Sequence, residues 1–193
     1  MTETWLNDGV CNGILDPHSM YHVLRKDRPS CGGGVAAFVN RQLHIVEIPI
    51  ATEFSDLELL CFDVVFKTHK VRFFNVYSPP RKDTASSVYT DILVECLGSH
   101  LAKHHCNVVV GDFNCPQINW NAPLCFANEH ACKAVINWIA SLSPLVLLSL
   151  SPFPHGKLIH SISFCVIRIS LFVMCLLVRL LVTVTTMLLA SLF

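Results

Sequence analysis

None of the ten cysteines forms a C-x-x-C pair, no apolar leader opens the chain, and no aspartate or glutamate follows Glu129. Each absence excludes something. Cys106, Cys115, Cys125 and Cys132 stand nine, ten and seven residues apart, which is not the paired spacing of a structural zinc site. With Met1–Asp8 lacking a secretory segment, the thiols read as reduced and mostly buried in an intracellular protein. The glycine run Gly32-Gly33-Gly34 is not followed by Lys-Ser or Lys-Thr, so a P-loop is at best weakly signalled. The missing acids also split the charge. The net formal charge is zero, but residues 1–129 hold 10 Lys+Arg against 14 Asp+Glu, and the last 64 residues carry four cations and no acid. Overall charge therefore gives no reason to expect a broad polyanion-binding surface. A length of 193 residues suits one domain with ample core.

What is present centres on Val108-Val109-Val110-Gly111-Asp112-Phe113-Asn114. A run of β-branched residues is the pattern of a buried central strand. Gly111 allows a turn at its end. Asp112 and Asn114, two apart, face the same way if strand geometry persists, with Phe113 pointing to the core. Two readings stay open for this stretch: a carboxylate and a carboxamide presented for chemistry, or an ordinary Asp/Asn turn after a strand.

Around it the pattern is α/β. The first thirty residues are turn-rich, with Asn7-Asp8-Gly9, Asn12-Gly13, Asp16-Pro17 and Arg28-Pro29. The three glycines before Val35–Val39 suggest a hinge or a close backbone approach ahead of a strand. Further strands are expected at Leu43–Ile50, Leu57–Phe66 and Val71–Tyr77, all rich in β-branched and aromatic residues. Pro79 and Pro80 stop the last ladder. A helix follows over about Ser86–His104, its apolar face made of Val88, Ile92, Leu93, Cys96 and Leu101, with Thr84 or Ser86 as cap. A second helix is expected near Glu129–Ser141.

Four pieces in order, Thr2-Glu3-Thr4-Trp5-Leu6, Arg28–Val39, Asn75-Val76-Tyr77-Ser78-Pro79-Pro80 and Val110–Trp120, resemble the endonuclease/exonuclease/phosphatase superfamily. More closely, they resemble the apurinic-type endonuclease domain of LINE-like (non-LTR) retrotransposons. The resemblance covers about residues 1–140 and implies an endonuclease-like domain over 1–144, an incomplete four-layer α/β sandwich lacking its first strand. It implies Mg²⁺-dependent hydrolysis of a phosphodiester in duplex DNA, nuclear localisation, and a reverse transcriptase domain that this chain does not carry. By the same resemblance Glu3 holds the metal, Asp112 positions the attacking water, Asn114 donates to the phosphate and Tyr77 lines the scissile group. Taken singly, Tyr77 is a strand-end tyrosine and Glu3 a solvated terminal charge, while Trp5 and Trp120 read as core or cleft-wall aromatics. Two departures from the family pattern stand out. The asparagine that precedes TETWL in the family is missing, and no Asp follows Glu129 to accompany His155 or His160. This copy is therefore expected to be inactive or nearly so. Two other readings remain: a lipid or inositol phosphate hydrolase of the same superfamily, and a tail-anchored binding protein without chemistry.

Residues 145–193 are almost wholly apolar, interrupted by Lys157, Arg168 and Arg179. One reading is a membrane segment, since ~20 residues cross the hydrocarbon core. The other is out-of-frame translation. Triplets begun on the third base of each codon from Phe153 to Val166 permit a Leu-Asp-Leu-Val-Leu string. The same frame over Thr183–Met187 permits Ser-Asp-His-Asn. Both resemble the family's C-terminal motifs, and the frame shift is the favoured reading. Codons with a central T yield Leu, Val, Ile, Phe and Met, so such a frame looks membrane-like without selection.

Overall fold

A computed structural model describes residues 1–80, 84–101, 106–115, 134–138, 145–150 and 162–167; for 84–87, 145–150 and 162–167 it describes the backbone alone. Within these residues the chain forms a one-turn helix α1 (Asn12–Leu15), strands β1 (Tyr21–Lys26), β2 (Val35–Asn40) and β3 (His44–Glu47), a 3₁₀ turn at Thr52–Phe54, strands β4 (Glu58–Val65) and β5 (Lys70–Tyr77), helix α2 (Thr84–His100), and strands β6 (Cys106–Asp112), β7 (Leu145–Leu150) and β8 (Ile162–Ile167). Residues 134–138 are helical. β1 and β2 make an antiparallel pair, and the other six strands form a sheet in the order β3-β4-β5-β6-β8-β7. Only β5 and β6 run parallel within it. α2 provides the crossover that a parallel pair requires.

Alternation along the strands assigns the two faces of the large sheet. Leu59 and Cys61 of β4, Phe74 and Val76 of β5, and Val109 of β6 point to one side. There they pack with Tyr89, Leu93, Cys96 and Leu97 of α2 and with Val135 and Trp138. The opposite side faces β1 and β2, where Val35 meets Leu60 and Tyr77 with Leu24 and Ala37 alongside. One ion pair anchors the helical layer. Arg72 donates from Nε and Nη2 to the two carboxylate oxygens of Asp63 at 2.7 and 3.0 Å, and from Nη1 to the His100 carbonyl at 2.8 Å. A cation on the last carbonyls of a helix satisfies an orphan acceptor and complements the dipole.

The expected strands are present with shifted ends: β3 is shorter than Leu43–Ile50 and β6 longer than Val108–Gly111. Four expectations are corrected. The opening thirty residues contain β1, whose residues are all half-buried and so show no apolar/polar alternation. Val88 is 57% exposed; the buried stripe is Tyr89, Leu93, Cys96 and Leu97, spaced i, i+4, i+7, i+8, and Val88 lies a residue off it. Trp5 is not a core residue, being 64% exposed. Gly111 lies inside β6, opposite Val76 and Ser163, rather than in a turn after it. Its φ is +146°, and a Cβ there would lie 2.7 Å from the Val76 carbonyl carbon. Glycine serves close approach at that point.

The six cysteines described are free; Cys61, Cys96 and Cys115 are buried, while Cys11 and Cys31 are exposed. Strands β7 and β8 lie in the stretch read from sequence as an apolar tail, and they pair into the six-stranded sheet. Among the described residues no helix is long and apolar enough to cross a membrane. Thr84 and Ser86 are described only as backbone within α2, so their capping side chains, Trp120, His155, His160 and residues 168–193 fall outside what the structure describes.

Candidate active site

Three strands end their alternation on a polar residue at the same level of the large sheet. Glu58 pairs with Tyr77 and Tyr77 with Asp112 in the strand registers. All three sit on the face turned toward β1 and β2, and all are buried: 7%, 3% and 4% exposed. Buried groups of this kind require partners, and the loops around the row supply them.

The opening segment lies along the edge of β2. Thr2 bridges to Val35, the amides of Thr4 and Trp5 donate to the carbonyls of Gly34 and Gly33 at 3.3 and 2.9 Å, and Ala36 donates to Met1 at 3.0 Å. Asn75, buried between the sheets, donates to the Met1 and Ala36 carbonyls, both at 3.0 Å. The segment is strained. Glu3 has φ +51° and Trp5 φ +55°, the left-handed region that costs a non-glycine residue about 1–2 kcal/mol. The result of that conformation is that the Glu3 carboxylate reaches the Tyr77 phenol, which donates to Glu3 Oε1. Burial first, and the bond to Glu3 second, push the Tyr77 phenol well above the ordinary tyrosine range. Tyr77 is therefore a protonated donor at neutral pH.

At the other end of the row, strand geometry stops at Asp112. Asn114 adopts φ +48°, which asparagine tolerates. The two side chains thus do not project side by side as an extended strand would place them. Instead the Asn114 amide donates to Asp112 Oδ1 at 2.9 Å, and Asn114 Nδ2 donates to the Ser78 carbonyl at 2.6 Å. Ser78 in turn donates its amide to the Asp112 carbonyl at 2.8 Å. Phe113 points into the helical core, 7% exposed, as its sequence position suggested. The structure thus brings Glu3, Tyr77, Asp112 and Asn114 into one bonded neighbourhood, through Tyr77 and the β5–β6 register.

Sequence reasoning missed Arg28 and Glu58. Arg28 donates from Nε to Glu58 Oε1 at 3.0 Å and again from Nη2, while Gly34 donates its amide to Glu58 Oε2. The Arg28 guanidinium also lies over the Tyr77 ring, 5.8 Å from its centroid. The bond to Glu58 raises the guanidinium's pKa further above its already high value. The signal was the glycine run. A Cβ on Gly33 would sit 2.6 Å from Arg28 Cζ, and one on Gly34 2.6 Å from Thr4 Oγ1. The run is a close approach, not a hinge.

Glu3 thus accepts from the phenol, Glu58 and Asp112 flank Tyr77 in the strand registers, and Arg28 is the cation over its ring. An anionic substrate at such a place needs further positive charge. The donors not tied to Arg28, two carboxylates and a carboxamide, are oxygens. They suit a hard divalent cation held by one or two carboxylates and its own waters. Among the described residues no group of three or more His, Cys, Asp or Glu is placed to hold a metal ion.

No family model and no curated protein matches the chain. Solved structures do. The endonuclease domain of TRAS1, a telomere-specific non-LTR retrotransposon, aligns with TM-score 0.50 and 13% identity over 75% of this chain and 65% of that one. An AP endonuclease from Archaeoglobus fulgidus aligns with TM-score 0.57 and 14% identity over 86% and 74%. The human Nocturnin catalytic domain aligns with TM-score 0.50 and 13% identity over 82% and 67%. At such identities the likeness establishes fold: the chain has the α/β fold of the endonuclease/exonuclease/phosphatase superfamily. It spans just under two thirds of the TRAS1 domain's length.

Proposed function

We propose that this chain is a remnant of a Mg²⁺-dependent DNA endonuclease of a non-LTR retrotransposon, a nuclear enzyme that nicks duplex DNA to prime a reverse transcriptase. The observation that carries the reading is the strained Glu3. A terminal glutamate is held in left-handed backbone against the phenol whose strand neighbour is Asp112. Strain of this kind persists where surrounding structure over-determines it, and it clusters at functional sites. The fold and its nuclease neighbours support the same chemistry.

In this reading Glu3 holds the divalent cation, which when bound would polarise the scissile phosphate and offset its charge. Asp112, buried and fixed by the Asn114 amide, orients the water that attacks phosphorus and accepts its proton, while the opposite P–O ester bond breaks and the departing sugar oxygen takes a proton from solvent. Asn114 directs its carboxamide toward a non-bridging phosphate oxygen, exchanging its bond to Ser78 for one to the substrate. Tyr77, kept protonated by burial, exchanges its bond to Glu3 for one to the same phosphate when Glu3 turns to the cation. No aspartate follows Glu129 to orient a histidine, and groups that act as a unit lose most of their effect together. Turnover is therefore expected several orders of magnitude below that of an enzyme with the full set. Residues 145–193 are read here as translation in a shifted frame, a proposal that the coding DNA tests directly.

The test is conversion of supercoiled plasmid to open circle by the full-length chain, with Mg²⁺ and with EDTA. Slow nicking that requires Mg²⁺ and disappears in Asp112→Ala supports the reading. Nicking that is indifferent to Asp112, or that proceeds equally in EDTA, overturns it; absence of nicking is the outcome of a remnant that has lost its closing Asp/His pair.

A further inference from the structure

Arg28 and Glu58 have no part in the chemistry outlined above, yet they form an ion pair, half-buried at Arg28 and buried at Glu58, beside Tyr77. Glu58 opens β4 opposite Tyr77 and is 7% exposed. Both its oxygens are occupied, Oε1 by the Arg28 fork and Oε2 by the Gly34 amide. Its own amide donates to Tyr89 Oη at 3.1 Å, and that hydroxyl donates to the Tyr77 carbonyl at 3.2 Å. Tyr77 is thus held on three sides: its carbonyl by Tyr89, its ring face by the Arg28 guanidinium, and its hydroxyl by Glu3. Arg28 is the one group that joins the second hold to Glu58 and to the glycine loop.

An ion pair with its carboxylate buried is a poor source of stability, because desolvation offsets much of its Coulomb energy. What a planar fork does well is fix geometry. Guanidinium against carboxylate sets the plane of Arg28, and the plane of Arg28 sets the tilt of the ring it covers. Gly33 has no Cβ to intrude on the pair, since one there would lie 2.6 Å from Arg28 Cζ. Three glycines with φ of +87°, +69° and +85° fold the loop tightly enough to admit it. Lysine could keep the charge at position 28 but not the fork or the flat face.

We infer that Arg28, clamped by Glu58, is a positioning residue that aims the Tyr77 phenol at Glu3. The inference deepens the proposed nuclease reading and rests on it for its purpose, but its geometry can be tested without any cleavage. The chain has three tyrosines, so a full-length protein labelled at tyrosine ¹³Cζ gives three NMR signals, assigned by Tyr→Phe variants. The Tyr77 signal reports its bond to the Glu3 carboxylate. Arg28→Lys, with charge retained, is expected to shift the Tyr77 signal in the direction that Glu3→Gln shifts it, leaving Tyr21 in place. In a Glu3→Gln background, Arg28→Lys is expected to add no further shift. A Tyr77 signal indifferent to Arg28→Lys overturns the inference. So does a shift that adds to that of Glu3→Gln, or one shared by all three tyrosines, either of which marks a general structural role. Where plasmid nicking is measurable, Arg28→Lys should lower kcat roughly ten- to a hundredfold with KM held, and have no effect beside Tyr77→Phe. Nicking indifferent to Asp112→Ala would remove the nuclease reading while leaving the NMR result to decide the role of Arg28.

Discussion

The two faces of the six-stranded sheet are built from alternate residues of the same strands, yet they differ in kind. Toward the helices β5 presents Phe74 and Val76, both fully buried among apolar neighbours. Toward the two-stranded sheet it presents Asn75 and Tyr77, each tied by hydrogen bonds to the opening segment. β4 turns Leu59 and Cys61 one way and Glu58 the other, and the end of β6 turns Asp112 away from Phe113. The period of two lets one strand serve both purposes. Apolar burial on the helical face supports polar groups whose burial and strain would otherwise destabilise the sheet. A substitution's consequence should therefore follow from the parity of its position more than from its distance to the site.

Substitutions on the two sides separate the faces. Asp112→Ala should cut any Mg²⁺-dependent nicking by at least about a thousandfold, with the denaturation midpoint nearly preserved. Phe74→Ala, one strand away but on the other face, should lower stability by about 3–5 kcal/mol in urea unfolding, while surviving folded protein keeps the wild-type rate. Gly111→Ala forces a Cβ onto the Val76 backbone and should cost roughly 1–3 kcal/mol and disturb both faces, because that point joins them. A gentler probe is alkaline pH. Burial pushes the thiols of Cys61 up to about 12 and of Cys96 up to about 11 on the helical face, and raises the Tyr77 phenol on the other. Groups whose pKa is raised on folding bind more protons folded than unfolded. Their contribution is complete below the ordinary thiol and phenol pKa values of roughly 8.5 and 10, and it is lost as pH climbs through the folded values. Stability should hold to about pH 8 and then fall steadily; a urea midpoint constant from pH 8 to 11 would contradict this. Val88→Ala, on the exposed side of α2, should change stability by less than about 0.5 kcal/mol.

Much of this was legible in the residues, for physical reasons. β2 to β6 announced themselves because buried strands need runs of β-branched and aromatic side chains, and α2 because its apolar stripe has helical spacing. Glu3, Tyr77, Asp112 and Asn114 were chosen by resemblance to family motifs, and the fold brings them together without assigning their roles. What stayed hidden was set by tertiary contact. β1 carries Arg25 and Lys26 and is half-buried throughout, so nothing alternates. Arg28 and Glu58 stand thirty residues apart, and no local pattern links a loop arginine to the first residue of a strand. Asn114 leaves the strand because its amide bonds to Asp112, a choice the GDFN spacing does not encode. Gly32-Gly33-Gly34 did carry a signal, since a glycine run before a strand suggests close approach, and at Gly33 and Gly34 an atom lies too close for a Cβ. Which groups approach there required the structure.

The measurement that bears most directly on the account is a double-mutant cycle on plasmid nicking, with Glu3→Gln and Asp112→Asn made singly and together in the full-length chain. If the opening segment and the end of β6 act on one phosphate, each single change should abolish most of the Mg²⁺-dependent rate. The double variant should then be scarcely worse than either. Rate losses that multiply independently would contradict the claim that these residues work as one site.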